Sequence, residues 1–242
     1  HEKTKTMSEE PLSSCKELLE KNRSLASGTY TLKSNITRQK YEVYCHMAEI
    51  SACGSGGWTL VMKVDGKEST FNYDSLYWTN NDTYEVENGL EGLTEKQTKL
   101  ASYSNTAFNK ICLGMKVNGN TKWIVIDHQA SSLFDVIANV TAFTRTNVSM
   151  SSWKSLINGS LLQQGCFIEG FNINGGRNDR KMYVRVGLVA DNGGDCSSCN
   201  SFIGFGASVT GCDGKAKRNA CGHVYACGKY VNIAAFGYIL VQ

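Results

Sequence analysis

The chain has 242 residues with a formal net charge of +3; 41% of its residues are hydrophobic and ten are cysteines. The small, dispersed charge argues against a nucleic-acid-binding protein, because such proteins concentrate basic residues on one face. No apolar run approaches the roughly eighteen residues of a membrane-spanning helix. This cysteine content is typical of an oxidising compartment, where thiols pair and close loops.

The sequence predicts a single domain preceded by a short arm. Residues 1–14 are polar and lack periodicity, which indicates a flexible N-terminal arm. Pro11 is the only proline, and no Gly/Ser linker divides the rest, so residues 15–242 are predicted to share one core. No signal peptide is visible at His1. Together with the cysteines, this leads us to expect a processed, secreted chain.

The first hundred residues begin with a helix signal. Ser14 stands three residues before Glu17, a capping-box spacing that predicts a short helix over residues 15–21. Alternating residues then predict strands, at 28–32, 41–45 and 58–64. Residues 71–106 are rich in aromatic and polar side chains without clear periodicity, which indicates long loops with short helices.

The rest of the chain adds strands and two short helices. Asn118-Gly119 between apolar runs predicts a hairpin of strands 111–117 and 122–127. The pattern predicts further elements: helices at 132–140 and 152–157, and strands at 182–189 and 236–241. Because strands dominate without regular βα alternation, we predict the α+β class, built on a twisted antiparallel sheet with short helices.

Residues 190–230 differ in composition from the rest of the chain. They hold five cysteines and eight glycines but few large aliphatic residues. We therefore predict a disulfide-rich, loop-rich C-terminal region, in which cross-links replace a hydrophobic core.

Three motifs near the N-terminus carry a resemblance to a known family. Cys15 stands 30 residues before Cys45 of a Tyr-Cys-His-Met segment, and Gly-Gly-Trp-Thr-Leu-Val follows at 56–61. This arrangement resembles the N-terminal segment of fibrinogen-related domains and of the intelectin lectins. Segments 110–116, 196–206 and 235–242 are similar to the secreted fibrinogen-like proteins of corals and sea anemones named skeletal organic matrix proteins. The resemblance runs from about Cys15 to the last residue.

The resemblance implies a fibrinogen-like fold, an extracellular location and a disulfide between Cys15 and Cys45. We predict that all ten cysteines form disulfides and leave the other pairings open: Cys15, Cys45, Cys53, Cys112, Cys166, Cys196, Cys199, Cys212, Cys221 and Cys227. A redox or zinc role for Cys196 and Cys199 is disfavoured, because their loop shows neither a helix start nor a suitable second ligand pair.

Six Asn-x-Ser/Thr triplets occur in the sequence. In a secreted protein such triplets are acceptors for N-glycosylation and must lie on the surface. The predicted sites are Asn22, Asn35, Asn81, Asn139, Asn147 and Asn158.

A glycine-rich loop offers oxygen ligands for a cation. Asp191, Asn192, Asp195 and Asn200 supply side-chain oxygens, and Ca²⁺ takes roughly six to eight such ligands. By position the loop resembles the calcium loop of fibrinogen-related domains. It lacks that family's alternating aspartates and the following Gly-Gly-Trp-Trp. We predict a calcium site here; the alternative is a glycine-rich turn with solvated carboxylates.

A ligand site is predicted near the C-terminus. His223, Tyr225 and Tyr230, flanked by Cys221 and Cys227, combine aromatic rings with hydrogen-bonding groups, as sugar-binding surfaces do. Intelectins carry their ligand site in this region, although their ligand motif is not recognisable here. The alternative is that these rings pack against the disulfides.

The sequence predicts a binding protein and not an enzyme, because no nucleophile elbow, zinc-protease motif, phosphate loop or dinucleotide fingerprint occurs. We expect a secreted, glycosylated recognition module that binds glycans or glycoproteins, with Ca²⁺ as cofactor. The alternative is a structural glycoprotein of the extracellular or skeletal matrix without a small-molecule ligand. With 22 acidic against 25 basic residues and no acidic run, direct mineral templating is disfavoured. The oligomeric state stays open.

Overall fold

A computed structural model describes residues 10–138 and 142–242. Residues 1–9 of the predicted arm and the predicted glycosylation site at Asn139 lie outside this range. In the described part the strands are, in chain order, β1 Gly28–Lys33, β2 Lys40–His46, β3 Trp58–Asp65, β4 Thr98–Lys99, β5 Phe108–Val117, β6 Asn120–Ala130, β7 Cys166–Arg177, β8 Arg180–Asp191, β9 Ser201–Thr210, β10 Ala216–Tyr225, β11 Val231–Ala234 and β12 Phe236–Val241.

The described strands form two antiparallel sheets. The first has the spatial order β1-β2-β3-β12-β5-β6, with β4 beside β3. The second has the order β11-β10-β9-β8-β7. The helices are short: α1 Cys15–Lys21, α2 Val86–Leu90, α3 Ser102–Asn105, α4 Leu133–Ile137 and α5 Met150–Lys154. Antiparallel sheets with a few short helices confirm the predicted α+β class.

The main hydrophobic core lies between the two sheets. Leu113 and Ile239 of the first sheet share one buried cluster with Val186 and Phe205 of the second, and Trp153 of α5 joins them. A second cluster covers the opposite face of the first sheet, and a third covers the opposite face of the second sheet. Strand β12 is buried along its whole length because it lies between β3 and β5 with an apolar cluster on each face.

Several predicted elements form with shifted ends. The Asn118-Gly119 hairpin is confirmed: both residues have positive φ, as a two-residue turn of this type requires. Helix α1 begins as predicted, with the side chain of Ser14 accepting a hydrogen bond from the Glu17 amide. Helix α4 begins at Leu133 and α5 at Met150, two residues before its predicted start, because the hydroxyls of Ser132 and Ser149 cap them. Both helices end earlier than predicted.

The segment from 190 to 230 differs from the prediction, because β9 and β10 run through it. Two of its glycines, both on strands, lie where backbones approach closely. A Cβ on Gly204 would meet the backbone of Val186 and Gly187, and one on Gly222 would meet the carbonyl of Ile233. Glycine within a strand marks such close approaches, so here the high glycine content belongs to packed strands as well as to loops.

The structure contains the Cys15–Cys45 disulfide that the resemblance implies. The other disulfides in the described chain are Cys53–Cys112, Cys166–Cys196 and Cys212–Cys227. Cys199 and Cys221 are free and buried, which differs from the prediction that all ten cysteines pair. The reason is topological: Cys221 belongs to the core between the sheets, whereas Cys199 belongs to the cluster on the other face of the second sheet.

Among the described residues, no helix is both long and apolar enough to cross a membrane.

Candidate functional site

His223 occupies a different position from the one predicted. The sequence suggested an exposed loop, and this placement is wrong: the residue lies on β10 with no exposed surface. Its Nδ1 lies 2.8 Å from the carbonyl oxygen of Phe202, and its Nε2 accepts a hydrogen bond from the Leu161 amide at 3.1 Å. Burial lowers the pKa of His223. A neutral imidazole with both nitrogens engaged positions the backbone at Leu161 and does not reach a ligand at the surface.

The loop that His223 holds is one wall of a cavity. The cavity, which we call the Tyr225 cavity, has a volume of about 550 Å³ and lies at the end of β10. The side chains that give it its chemistry are Lys154, Gln163, Gln164, Asn192, Tyr225 and Lys229. It therefore combines one aromatic ring, three amides and two cations.

Gln163 lines the Tyr225 cavity and has a buried side-chain amide. The residue is 4% exposed, and its Oε1 accepts a hydrogen bond from Ser201 Oγ at 3.2 Å. Its Nε2 is buried and has no hydrogen-bond partner among the described residues. Buried polar atoms are satisfied in most folded proteins, so this nitrogen requires a partner that the described residues do not supply.

Tyr230 does not line this cavity. Its side chain is 49% exposed, the ammonium of Lys217 lies 5.1 Å from its ring centre, and its hydroxyl accepts a hydrogen bond from Asn232 at 3.1 Å. Of the three predicted ligand residues, only Tyr225 therefore lies in the cavity.

Asp195, one of the predicted calcium ligands, is engaged by protein groups. Its Oδ1 accepts hydrogen bonds from the amide of Ser197 at 2.9 Å and from the Ser197 hydroxyl at 2.6 Å, which caps a short 3₁₀ turn. Its Oδ2 lies 3.3 Å from Nη1 of Arg177. The hydrogen bonds from Ser197, and then the charge of Arg177, lower the pKa of Asp195.

The other three predicted calcium ligands each contact a different part of the structure. Oδ2 of Asp191 lies 3.4 Å from the Gly193 amide, and Asn192 lines the Tyr225 cavity. Asn200 is buried, and its Nδ2 contacts the sulfur of Cys227 at 2.6 Å. The described residues hold no group of three or more His, Cys, Asp or Glu placed for a metal ion. Calcium binding by these residues stays a prediction.

The comparisons with known proteins add little. No protein-family model and no curated protein matches the chain. Among solved structures, one similar chain is the fibrinogen-like globe domain of human ANGPTL2, with 21% sequence identity and a TM-score of 0.33. The match covers 47% of this chain and 49% of the other, so about half of each is compared.

The predicted glycosylation sites in the described residues are all exposed: Asn22, Asn35, Asn81, Asn147 and Asn158. Modification at these asparagines stays a prediction.

Sequence reasoning missed four polar residues of the Tyr225 cavity, namely Lys154, Gln163, Gln164 and Lys229. They come from helix α5, the segment after it and the loop after the Cys212–Cys227 disulfide. None belongs to a recognisable motif, and only the packing of the three segments brings them together.

Proposed function

We propose that the chain is an extracellular recognition module that binds carbohydrate in the Tyr225 cavity. The observation that carries this proposal is the lining of the cavity, which brings the ring of Tyr225, three side-chain amides and two ammonium groups around a volume of about 550 Å³. Four disulfides support an extracellular setting, because they form and persist in oxidising compartments. The resemblance to fibrinogen-related domains and intelectins, in which ligands bind through the C-terminal region, agrees with this location.

Each residue of the cavity has a role that suits a sugar. The ring of Tyr225 packs against the apolar face of a pyranose. The amides of Gln164 and Asn192 both donate and accept, which matches hydroxyl groups. Lys154 and Lys229 favour a ligand that carries an acceptor or a negative charge.

The cavity walls are held in place before a ligand arrives. The Cys212–Cys227 disulfide adjoins Tyr225, and His223 fixes the Leu161 backbone through its Nε2. A pre-organised site loses little conformational entropy on binding, which lets a weak polar ligand be retained.

A glycan array tests the proposal directly. Wild type should be retained by a subset of glycans, and Tyr225→Ala should lose about tenfold or more in affinity, because the ring supplies most of the apolar contact. Tyr230→Ala is the matched control, since this exposed tyrosine lies outside the cavity. Equal loss in both variants, or no loss in either, would contradict the assignment to the Tyr225 cavity.

Calcium dependence is a separate part of the proposal. The same array in excess chelator tests it: lost retention supports a calcium site near Asp191 and Asn192, and unchanged retention contradicts one. No glycan retention by a folded wild type, with or without Ca²⁺, would favour the alternative of a structural matrix glycoprotein.

A further inference from the structure

A second cavity lies on the second sheet, away from the Tyr225 cavity. It has a volume of about 280 Å³ and shares none of the residues that line the Tyr225 cavity. Its floor is a row of three neighbouring strand residues, Tyr183 on β8, Ser208 on β9 and Arg218 on β10, which are direct register partners. Its wall is the turn 72–74.

The aromatic side of this cavity is rigid. The rings of Tyr73 and Tyr183 stack with their centres 4.7 Å apart and an interplanar angle of 26°. The guanidinium of Arg185 lies 4.1 Å from the centre of the Tyr73 ring, and its Nε donates to the Tyr73 carbonyl at 3.0 Å. Cation–π stacking combined with a backbone hydrogen bond fixes Tyr73 in one orientation.

The backbone leaves room for this stack. Gly206 has φ +57, and a Cβ there would lie 2.9 Å from Cγ of Arg185 and 3.1 Å from Nε1 of Trp78. The same indole nitrogen donates to the carbonyl of Phe71 at 3.1 Å and to that of Asn72 at 3.0 Å. Buried Trp78 therefore holds the turn, and the bare backbone at Gly206 lets Arg185 lie beneath Tyr73.

The polar side chains of this cavity leave most of their hydrogen-bonding capacity open, although the charge of Asp74 interacts with that of Arg185. The polar side chains that line it are Asn72, Tyr73, Asp74, Tyr183, Ser208 and Arg218. None of these side chains has a hydrogen bond to another described residue, although each carries donors or acceptors. A fixed aromatic pair surrounded by unused donors and acceptors has the composition of a small-ligand site.

The charges decide the class of ligand. Asp74 supplies one carboxylate and Arg218 one guanidinium, so the residues that line the cavity carry no net charge, in contrast to the two lysines of the Tyr225 cavity. The guanidinium of Arg185 lies behind this lining and is engaged by the ring and the carbonyl of Tyr73. A carboxylate accepts from hydroxyl groups, and a guanidinium donates to them. The volume suits a single ring. We propose that this cavity is a second, independent binding site for one neutral pyranose unit, with Tyr183 as its apolar plate.

Amide chemical-shift titration in ¹H–¹⁵N spectra tests this site. The probes are methyl β-D-glucopyranoside, methyl β-D-galactopyranoside and methyl α-D-mannopyranoside, each added until the shifts saturate. At least one should shift the amides of Asn72, Ser208 and Arg218. Tyr183→Ala should weaken that binding about tenfold, whereas Tyr183→Phe should retain most of it because the ring is kept.

The controls separate this site from the Tyr225 cavity. Tyr225→Ala should leave the shifts at Asn72, Ser208 and Arg218 unchanged, so that failure of one site does not imply failure of the other. If Tyr183→Ala does not fold, Arg218→Ala replaces it, because Arg218 is exposed. This variant should weaken binding of the sugar to the same extent. The proposal is overturned if no probe shifts these amides, or if neither Tyr183→Ala nor Arg218→Ala weakens binding. Tighter binding of methyl β-D-glucuronide than of the glucoside would overturn the neutral class.

Discussion

Lys63 is a charged residue in the middle of the fold. It has no exposed surface, and its ammonium donates to the carbonyls of Asn88 and Gly92, each at 2.7 Å, and to the Thr94 hydroxyl at 2.8 Å. The three N–H donors of the ammonium are thereby matched by three oxygens. Lys63 thus ties the segment 88–94 to strand β3, although no carboxylate contacts it directly.

The burial of Lys63 predicts a pH dependence of stability. Desolvation lowers the pKa of Lys63 to about 8, below the value of about 10.4 in an unfolded chain. Between these values the unfolded state binds more protons, so the free energy of unfolding contributed by Lys63 rises with pH and falls as pH drops through 8. Urea unfolding of wild type and Lys63→Met can be measured at about pH 7.5 and about pH 9.5. The free energy of unfolding of wild type should rise relative to that of the variant at the higher pH.

Exposed Lys16→Met is the matched control for this measurement, because it makes the same substitution at the protein surface. The free energy of unfolding of wild type relative to Lys63→Met should increase between the two pH values. If it stays constant or decreases at the higher pH, a depressed pKa for Lys63 is ruled out.

Single buried polar residues were the hardest to predict. Glu169 is 1% exposed and accepts hydrogen bonds from the amides of Thr146 and Asn147 and from the indole of Trp153. In the sequence it is a lone acid between apolar residues, and its partners lie 16 to 23 positions away. His223 was misplaced for the same reason, because its two hydrogen bonds come from distant segments.

Among secondary-structure elements, those with a local signal were predicted best. The Asn118-Gly119 turn requires positive φ at both residues, which Asn and Gly tolerate, so the hairpin could be recognised from two residues. Strand β12 was recognisable as an apolar run. Strands β9 and β10 were missed, because the small residues that permit close packing between strands also occur in loops.

Gly237 tests the role of glycine where the two sheets meet. It lies on β12, and a Cβ there would overlap the ring of Phe205 on β9 and the sulfur of Cys221 on β10. Gly237→Ala should therefore lower the free energy of unfolding by about 1–3 kcal/mol, as overpacking of a core does. The control is Gly28→Ala, because no atom lies within 4 Å of the added methyl group. Equal urea midpoints for the two variants would show that the sheets are not in close contact at Gly237.

At the scale of the whole molecule, the disulfides divide between the two sheets. Cys15–Cys45 links α1 to β2, and Cys53–Cys112 reaches β5 of the first sheet. Cys166–Cys196 and Cys212–Cys227 constrain the end of the second sheet beside the Tyr225 cavity. Each closes a loop and removes on the order of 3 kcal/mol of unfolded-state entropy. The even cysteine count predicted such cross-links but not which thiols stay apart, since pairing depends on the face of the sheet that each residue occupies.

The two free cysteines give the last prediction. Burial raises the pKa of the Cys199 thiol to about 12 and raises that of Cys221 as well, so neither forms the reactive thiolate near neutral pH. Native protein should therefore not react with a thiol-specific maleimide. In denaturant without reductant, both buried thiols become accessible, and mass spectrometry should find two labels, located by peptide mapping at Cys199 and Cys221.

Denatured protein after full reduction is the control and should carry ten labels. No label in the unreduced denatured protein would restore the prediction that all ten cysteines pair, and rapid labelling of the native protein would contradict the burial of both thiols.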